Sequence, residues 1–279
     1  MSILYITDLD GTLLNPNICV SEKTKTILNM LIEKGMLFSI ATARSPASIR
    51  GLLDGIDLRL PVVLMNGVFL YDVKHRKPMH HYSIPDELAQ KALSVFQKAD
   101  KCPFMYLYEQ GSGIDLNFTE LRLDIHNQFY NKRKPLFDYR IFKVDQYVIP
   151  KDKDVVYFNL IDRYEQLAPI CSEISDYPGL ACAFYCDSYS EYWFLEVFSD
   201  MASKSAGAHM IKRICRADKI VSFGDNFNDY DLFSRSDECY ATGNAVDEIK
   251  EMATQVIGAN FDDGVAKYLL ERFKKDTLF

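Results

Sequence analysis

Apolar residues in the first eighty positions come in short runs separated by stretches with helical spacing. Ile3 to Ile6 predicts a buried strand, and Ser21 stands where an N-cap is wanted. Beyond it Ile27, Leu28, Leu31 and Ile32 share one helical face, and Gly35 supplies the stop. Leu37 to Ile40 predicts a second strand. Ser45-Pro46 predicts the opening of another helix, with proline in the tolerated first turn and Ile49, Leu52 and Leu53 on its apolar side. Pro61 to Leu64 predicts a third strand. The same rhythm returns late in the chain, with a helix over Met201 to Cys215, a strand over Lys219 to Phe223 and a helix starting at Asn228. Strands alternating with helices imply parallel pairing through right-handed crossovers, hence an α/β fold built on a doubly wound, mostly parallel sheet.

Between these stretches the texture changes. Strands are expected over Val155 to Ile161 and Leu180 to Tyr185, and helices over Asp86 to Ala99 and Arg163 to Ser175. Residues 84–189 are therefore expected to form a second α/β domain, inserted into a core made of 1–83 and 190–279. The chain holds 17 Tyr, 18 Phe and one Trp, and half of these aromatics fall in the insert, where they are expected to be mostly core. A few tyrosines are left to line a site.

A net charge of −7 over 279 residues disfavours a protein built to grip nucleic acid or an anionic membrane, either of which needs a basic surface. The seven cysteines are odd in number and lack C-x-x-C spacing, so free buried thiols in a reducing compartment are expected. No run approaches the ~18 apolar residues of a membrane span, and the opening residues lack the basic start of a signal peptide. A cytoplasmic location is the expectation. Nothing in the pattern selects an oligomeric state. The five histidines are scattered and suggest no metal site.

The polar residues at the predicted strand ends are of one kind. Asp8-Leu9-Asp10-Gly11-Thr12 follows the first strand, Ala41-Thr42-Ala43-Arg44 the second, and Gly224-Asp225-Asn226-Phe227-Asn228-Asp229 the late one, while Lys204 lies near a helix start. In a doubly wound sheet these carboxyl ends share the edge where ligands bind. Taken singly, an aspartate after a strand is usually a turn or cap residue. A lysine at a helix start is usually solvated, although there it opposes the helix dipole. Gathered together, Asp8, Asp10, Asp225 and Asp229 repel one another unless a cation sits among them, and hard carboxylate oxygens suit magnesium, which binds phosphate. Thr42, Lys204 and Asn228 add a hydroxyl, a cation and an amide suited to clamping a phosphoryl group. One aspartate can then attack phosphorus, and a second, two residues away on the same side of an extended segment, can serve as acid and base.

This ordered set resembles the four motifs of the haloacid dehalogenase (HAD) superfamily, most closely its Cof-type phosphatases with a C2B cap inserted after the third strand. Asn66-Gly67, Gly243-Asn244-Ala245 and Asp262-Asp263-Gly264-Val265 extend the likeness. It covers the core in order, and the insert in size and position. The resemblance implies that Asp8 is the nucleophile and a Mg2+ ligand, and that Asp10 is the general acid and base, ligating through its carbonyl. It makes Asp225 the other carboxylate on the metal, with Asp229 supporting it directly or through a neighbour. Thr42 and Lys204 would hold phosphoryl oxygens with help from Asn228. Ala43 stands in the substrate loop where relatives commonly have glycine, and Arg44 would contact substrate or pin the cap.

The expectation is a Mg2+-dependent phosphatase acting on small phosphate monoesters through an aspartyl-phosphate, with the cap closing over the organic part. Sugar phosphates come first as substrates, ahead of nucleotides and phosphorylated cofactors. A sugar phosphomutase is the nearest alternative. A catalytically vestigial sensor of phosphate esters is another, which the intact Asp8, Asp10, Lys204 and Asp225 oppose. A metal-dependent glycosyltransferase would leave Lys204 and the Gly224 to Asp229 stretch without a purpose.

Overall fold

The structure, a computed structural model, describes residues 1–134, 139–187 and 190–276. The chain opens with strand β1 (Ile3–Thr7), helix α1 (Glu22–Glu33) and strands β2 (Leu37–Ile40), β3 (Val62–Leu64), β4 (Phe69–Asp72) and β5 (Lys77–His81). Its middle contains α2 (Asp86–Lys98), β6 (Phe104–Glu109), β7 (Gly113–Phe118), α3 (Asp124–Arg133), β8 (Tyr139–Lys143), β9 (Asp154–Asp162), α4 (Tyr164–Ser175), β10 (Leu180–Cys186) and β11 (Trp193–Ser199). It closes with α5 (Lys204–Cys215), β12 (Lys219–Gly224), α6 (Tyr230–Ser234), β13 (Glu238–Ala241), α7 (Asp247–Met252), β14 (Gln255–Val256) and α8 (Gly264–Asp276). Two compact units result: Met1–His80 with the residues from Ser203 onward, and His81–Ala202.

In the first unit five strands pair in parallel in the order β14-β13-β12-β1-β2. A parallel bridge between Ala41 and Val63 carries the row on to β3. Chain order therefore reverses between β1 and β12, the point where such sheets open a ligand crevice at their carboxyl ends. Leu4, Tyr5, Ile6 and Thr7 are all buried, which is why β1 reads as an apolar run instead of an alternation: both of its faces are covered. Ser21 caps α1, its hydroxyl accepting from Thr24 N at 3.0 Å.

Several local expectations change. Residues 46–55 form successive turns and no helix. Gly51 at φ +80° stops helical propagation, and the hydroxyls of Ser45 and Ser48 compete for backbone N–H groups, as in Ser48 N to Ser45 Oγ at 3.3 Å. Helix α5 starts at Lys204 instead of Met201, because Ser203 accepts from Ala206 N and fixes the start there. A single 3-10 turn over Phe227–Asp229 precedes α6. Strands β3, β4 and β5 form a small sheet ahead of the insert, its β3–β4 pair antiparallel.

The second unit carries a six-stranded sheet in the order β10-β11-β9-β6-β7-β8, antiparallel except for β7 with β8. Its expected end at residue 189 falls outside the described residues. Among the described ones the unit runs from 81 to 202, because β11 pairs with both β9 and β10 and so belongs to this sheet. Helices α2 and α4 cover one face through Phe96, Leu167 and Ile170 against Met105, Phe158 and Leu195. Side chains alternate along each strand, so the opposite face takes Phe104, Tyr106 and Tyr157. There Phe129 of α3 lies 4.5 Å from the Phe104 ring, and Tyr157 stacks on Phe198 at 5.3 Å. The aromatic surplus is packing material, as expected. Only Cys239 of the seven cysteines is buried, since most of the others sit half-exposed on helices and edges.

Helix α8 is tied to β13 by charge. Arg272 gives two hydrogen bonds to Glu238, at 2.5 and 2.9 Å, and Tyr240 OH donates to the same carboxylate at 2.7 Å. The Arg272 guanidinium holds Glu238 down at about 2. A depressed carboxylate contributes stability above its unfolded pKa of 4.5 and loses it as pH falls through about 2. Glu238→Gln is expected to cost about 1–3 kcal/mol at pH 7 and to flatten the acid limb of the stability profile. Thermal midpoints at pH 7 and pH 3 check it, and an unchanged acid limb contradicts it.

Candidate active site

The crevice between β1 and β12 gathers the carboxylates. Asp8 follows β1, its N–H bonded to Phe223 O at 2.9 Å, and Asp225 follows β12. Carboxylate oxygens of Asp8, Asp225 and Asp229 lie within 4.8 Å of one another, all three residues buried. Among the described residues this is the one such group, and no histidine joins it. His75 and His81 instead meet Asp72 and Asp154 at 2.7 and 2.8 Å.

Lys204, the first residue of α5 and only 2% exposed, reaches this group. Its ammonium donates to Asp8 Oδ1 at 2.5 Å and to Asp229 Oδ1 at 2.6 Å. Burial alone would lower its pKa, yet the Asp229 and Asp8 carboxylates hold it raised, so it stays charged. One cation does not balance three buried carboxylates. Burial pushes Asp8 up to about 7 despite Lys204, with Asp229 and Asp10 adding to the rise. Burial, then Asp8 and Asp229, also push Asp225 well up. This surplus of hard oxygen donors and negative charge fits a hard divalent cation such as Mg2+.

Asp229 has most of its capacity engaged. Oδ2 accepts from Asp225 N at 2.9 Å and Asn226 N at 3.3 Å, while Oδ1 holds Lys204. It therefore fixes both the ammonium and the turn that presents Asp225. Asn228 sits half-buried in the same 3-10 turn.

Asp10 points elsewhere. Its two oxygens accept from Arg44 Nε and Nη2 at 2.6 and 2.7 Å, a fork on a carboxylate. Its side chain thus stands outside the three-carboxylate group, and Arg44 has a partner that the sequence reading did not foresee. Thr42 is buried at the end of β2 beside β1, where Ala41 N reaches Thr7 O at 2.9 Å. Its hydroxyl accepts from Arg44 N at 3.1 Å, and half-buried Ala43 lies in the bend between them. This loop is braced from β3: Met65 N donates to Arg44 O at 3.0 Å and Asn66 N to Thr42 O at 3.1 Å. Met65 and Asn66 both take left-handed φ, 49° and 52°, a strained turn.

The segment after Asp8 is pinned by polar side chains from several parts of the chain. Thr12 Oγ1 donates to Asp225 Oδ1 at 2.7 Å, Asn244 Nδ2 to Gly11 O at 2.7 Å, and Asn260 Nδ2 to Leu14 O at 2.8 Å. Thr242 adds a bond to Gly11 O at 3.3 Å. Thr12 and Asn244 fall within the motifs quoted from the sequence, whereas Thr242 and Asn260 lie outside them. Gly11 has φ +76°, and a Cβ on it would lie 2.1 Å from Asp225 Oδ2. Gly11→Ala is therefore expected to leave a folded protein with a lowered thermal midpoint and roughly 10²-fold less turnover, since Asp225 must move. Wild-type turnover would contradict this.

The haloacid dehalogenase-like hydrolase family matches residues 5–269. The chain is 24% identical over 282 residues to the 5-amino-6-(5-phospho-D-ribitylamino)uracil phosphatase YitU of Bacillus subtilis, covering 97% of each chain. It is 25% identical over 271 residues to the pyridoxal phosphate phosphatase YbhA of Escherichia coli, covering 94% of this chain and 95% of that one. The fold matches the solved structure of the HAD subclass IIB sugar phosphatase BT4131 with a TM-score of 0.74 and 20% identity, over 98% of this chain and 99% of that one. Among the described residues no helix is long and apolar enough to cross a membrane. A match over nearly the whole chain, on a sheet whose crevice holds the expected carboxylates, places this protein in the haloacid dehalogenase-like hydrolase family.

Proposed function

We propose that this hydrolase is a phosphatase that cleaves small phosphate monoesters through a phosphoaspartate at Asp8. The observation that carries the reading is the buried cluster of Asp8, Asp225 and Asp229 with Lys204 bridging two of them. Lys204 bonds one oxygen of Asp8, leaving the other to attack phosphorus. As the ester bond breaks, the leaving oxygen takes a proton from Asp10, and the same carboxylate then removes one from the water that hydrolyses the phosphoaspartate. Proton transfer there requires one Asp10 oxygen to leave the Arg44 fork. Thr42 and Lys204 would hold the phosphoryl oxygens, with Ala43, Arg44 and Asn228 lining the substrate loops. Bound by Asp8 and Asp225, with the Asp10 carbonyl and the support of Asp229, Mg2+ would neutralise the charge that the phosphate brings.

Catalysis then rests on residues 1–80 and 203 onward, and the C2B-like unit, 81–202, takes the part of the cap in substrate choice. The named relatives act on a ribityl phosphate, pyridoxal phosphate and sugar phosphates, which supports a small monoester and puts sugar phosphates first. Assay of the purified protein with Mg2+ against a panel of sugar, nucleotide and cofactor phosphates tests this. Free phosphate released from a subset of the panel is the expected result. Isomerised sugar phosphate without free phosphate, or tight binding with no turnover, would overturn it.

A further inference from the structure

The second unit holds a groove of about 460 Å³, within the roughly 300–1,000 Å³ common for small-ligand sites. Its floor is sheet. Strand alternation puts Asp115 and Asn117 of β7 on one face, and their partners in register, Leu107 of β6 with Arg140 and Phe142 of β8, share it. The segment 143–153 walls the groove with Val144, Val148 and Pro150. Tyr147 and Ile149 pack on the core, while Val148 between them is 58% exposed and Phe142 46%. Two large apolar side chains are thus left to water in a concave site, where an apolar group would cover them. Asp115, only 3% exposed, accepts from Arg140 Nε at 2.5 Å and from Lys153 Nζ at 2.6 Å. Glu109 adds a carboxylate 3.5 Å from Arg140 and 3.8 Å from Lys153, so these four charges balance. Both cations keep N–H groups beyond the one each gives to Asp115. Lys143 and Asp152 line the same groove, and among the described residues neither side chain forms an ion pair or a hydrogen bond. Asn117 Oδ1 has no hydrogen bond either, a deficit that a donor on a ligand would remove once the amide turns toward it. With Glu109 counted, three cations meet three carboxylates. A singly charged ligand gains little from such a set, whereas a dipolar one can meet both signs at once.

We propose that this groove binds a zwitterionic α-amino acid with an apolar side chain. Its carboxylate takes the remaining N–H groups of Arg140 and Lys153, with Lys143 adding charge at the rim. Its ammonium goes to Asp152 and to Asn117 Oδ1. The apolar side chain covers Phe142 and Val148 and removes their surface from water. Asp115 has a different part. By engaging both cations it holds them in place before the ligand arrives, which lowers the ordering cost of binding. Every residue of the groove belongs to the second unit and none to the carboxylate cluster, so the site takes its ligand independently of phosphoryl chemistry.

The test titrates L-leucine, L-methionine and L-phenylalanine into the full chain by calorimetry. Three further probes each lack one feature of leucine: glycine the side chain, isocaproate the ammonium and isopentylamine the carboxylate. At least one of the three apolar amino acids should bind one to one with a Kd below about 1 mM, and leucine should bind at least ~10-fold more tightly than each of its three analogues. Lys143→Gln and Asp152→Asn remove the two rim charges, and each should weaken amino-acid binding about fivefold or more. Their thermal midpoints without ligand should match wild type, since neither side chain braces the fold; should a variant fail to fold, the analogue series on wild type still decides. Binding is read as heat and needs no turnover, so the result does not depend on the phosphatase reading. No saturable heat from any of the three amino acids at tens of millimolar would overturn the proposal. So would isocaproate or isopentylamine binding as tightly as leucine, or full affinity in both folded variants.

Discussion

Asp8→Asn is expected to reduce phosphatase turnover by about 10⁴-fold or more, because the amide keeps the shape of the side chain and removes the attacking carboxylate. The fold should survive. Asparagine still offers Oδ1 to the Lys204 ammonium, which Asp8 accepts at 2.5 Å. Burial already raises Asp8 to about 7, so its charge is a burden on the metal-free fold and its loss should not lower the thermal midpoint. Steady-state kinetics with a thermal scan checks both halves. A variant retaining even a tenth of wild-type turnover contradicts the assignment of Asp8 as nucleophile.

Removing the divalent cation is expected to have an effect of similar rank. Exhaustive chelation should lower turnover at least ~10²-fold, with recovery on adding Mg2+. Asp225→Asn should reproduce the loss and show little further response to chelation, since both act on one site. The shifted carboxylates give the pH dependence its sign. With Asp8 raised from 3.8 to about 7, the metal-free protein holds a proton there that the unfolded chain has released. That contribution to stability is fully present below pH 3.8 and is lost as pH rises through about 7. Mg2+ competes with the proton, so the concentration giving half-maximal activity should rise as pH falls from 8 to 6, and Mg2+ should raise the thermal midpoint more at pH 8 than at pH 6. Full activity after chelation, or the opposite pH trend, contradicts a metal among these carboxylates.

The parallel sheet was legible in the sequence because its central strands are covered on both faces and appear as apolar runs such as Leu4 to Ile6, bounded by polar loops. The crossover at 46–55 misled for a local reason. Its apolar spacing is helical, but left-handed Gly51 and the hydroxyls of Ser45 and Ser48 favour turns. The insert's far edge was misjudged because the pairing of β11 with β9 is non-local, and nothing in Trp193 to Ser199 says which sheet will take it. At the site, strand-end positions foretold that Asp8, Asp225, Asp229 and Lys204 would meet, since the fold brings those ends to one edge. Sequence could not foretell that Arg44 would take the Asp10 carboxylate, nor that Asn244 and Asn260 would hold the segment after Asp8. Those contacts depend on side-chain direction and on loops that approach one another only once the sheet has formed.

The central claim is that a covalent phosphoryl group forms on Asp8, and it can be measured directly. Wild-type protein mixed with Mg2+ and a turned-over ester, quenched in acid within milliseconds and analysed as intact protein and peptides, should show a gain of about 80 Da on the peptide containing Asp8. The adduct should be absent in Asp8→Asn and should decay at the rate of phosphate release. Turnover with no adduct at any quench time, or an adduct on another residue that persists in Asp8→Asn, would contradict the account.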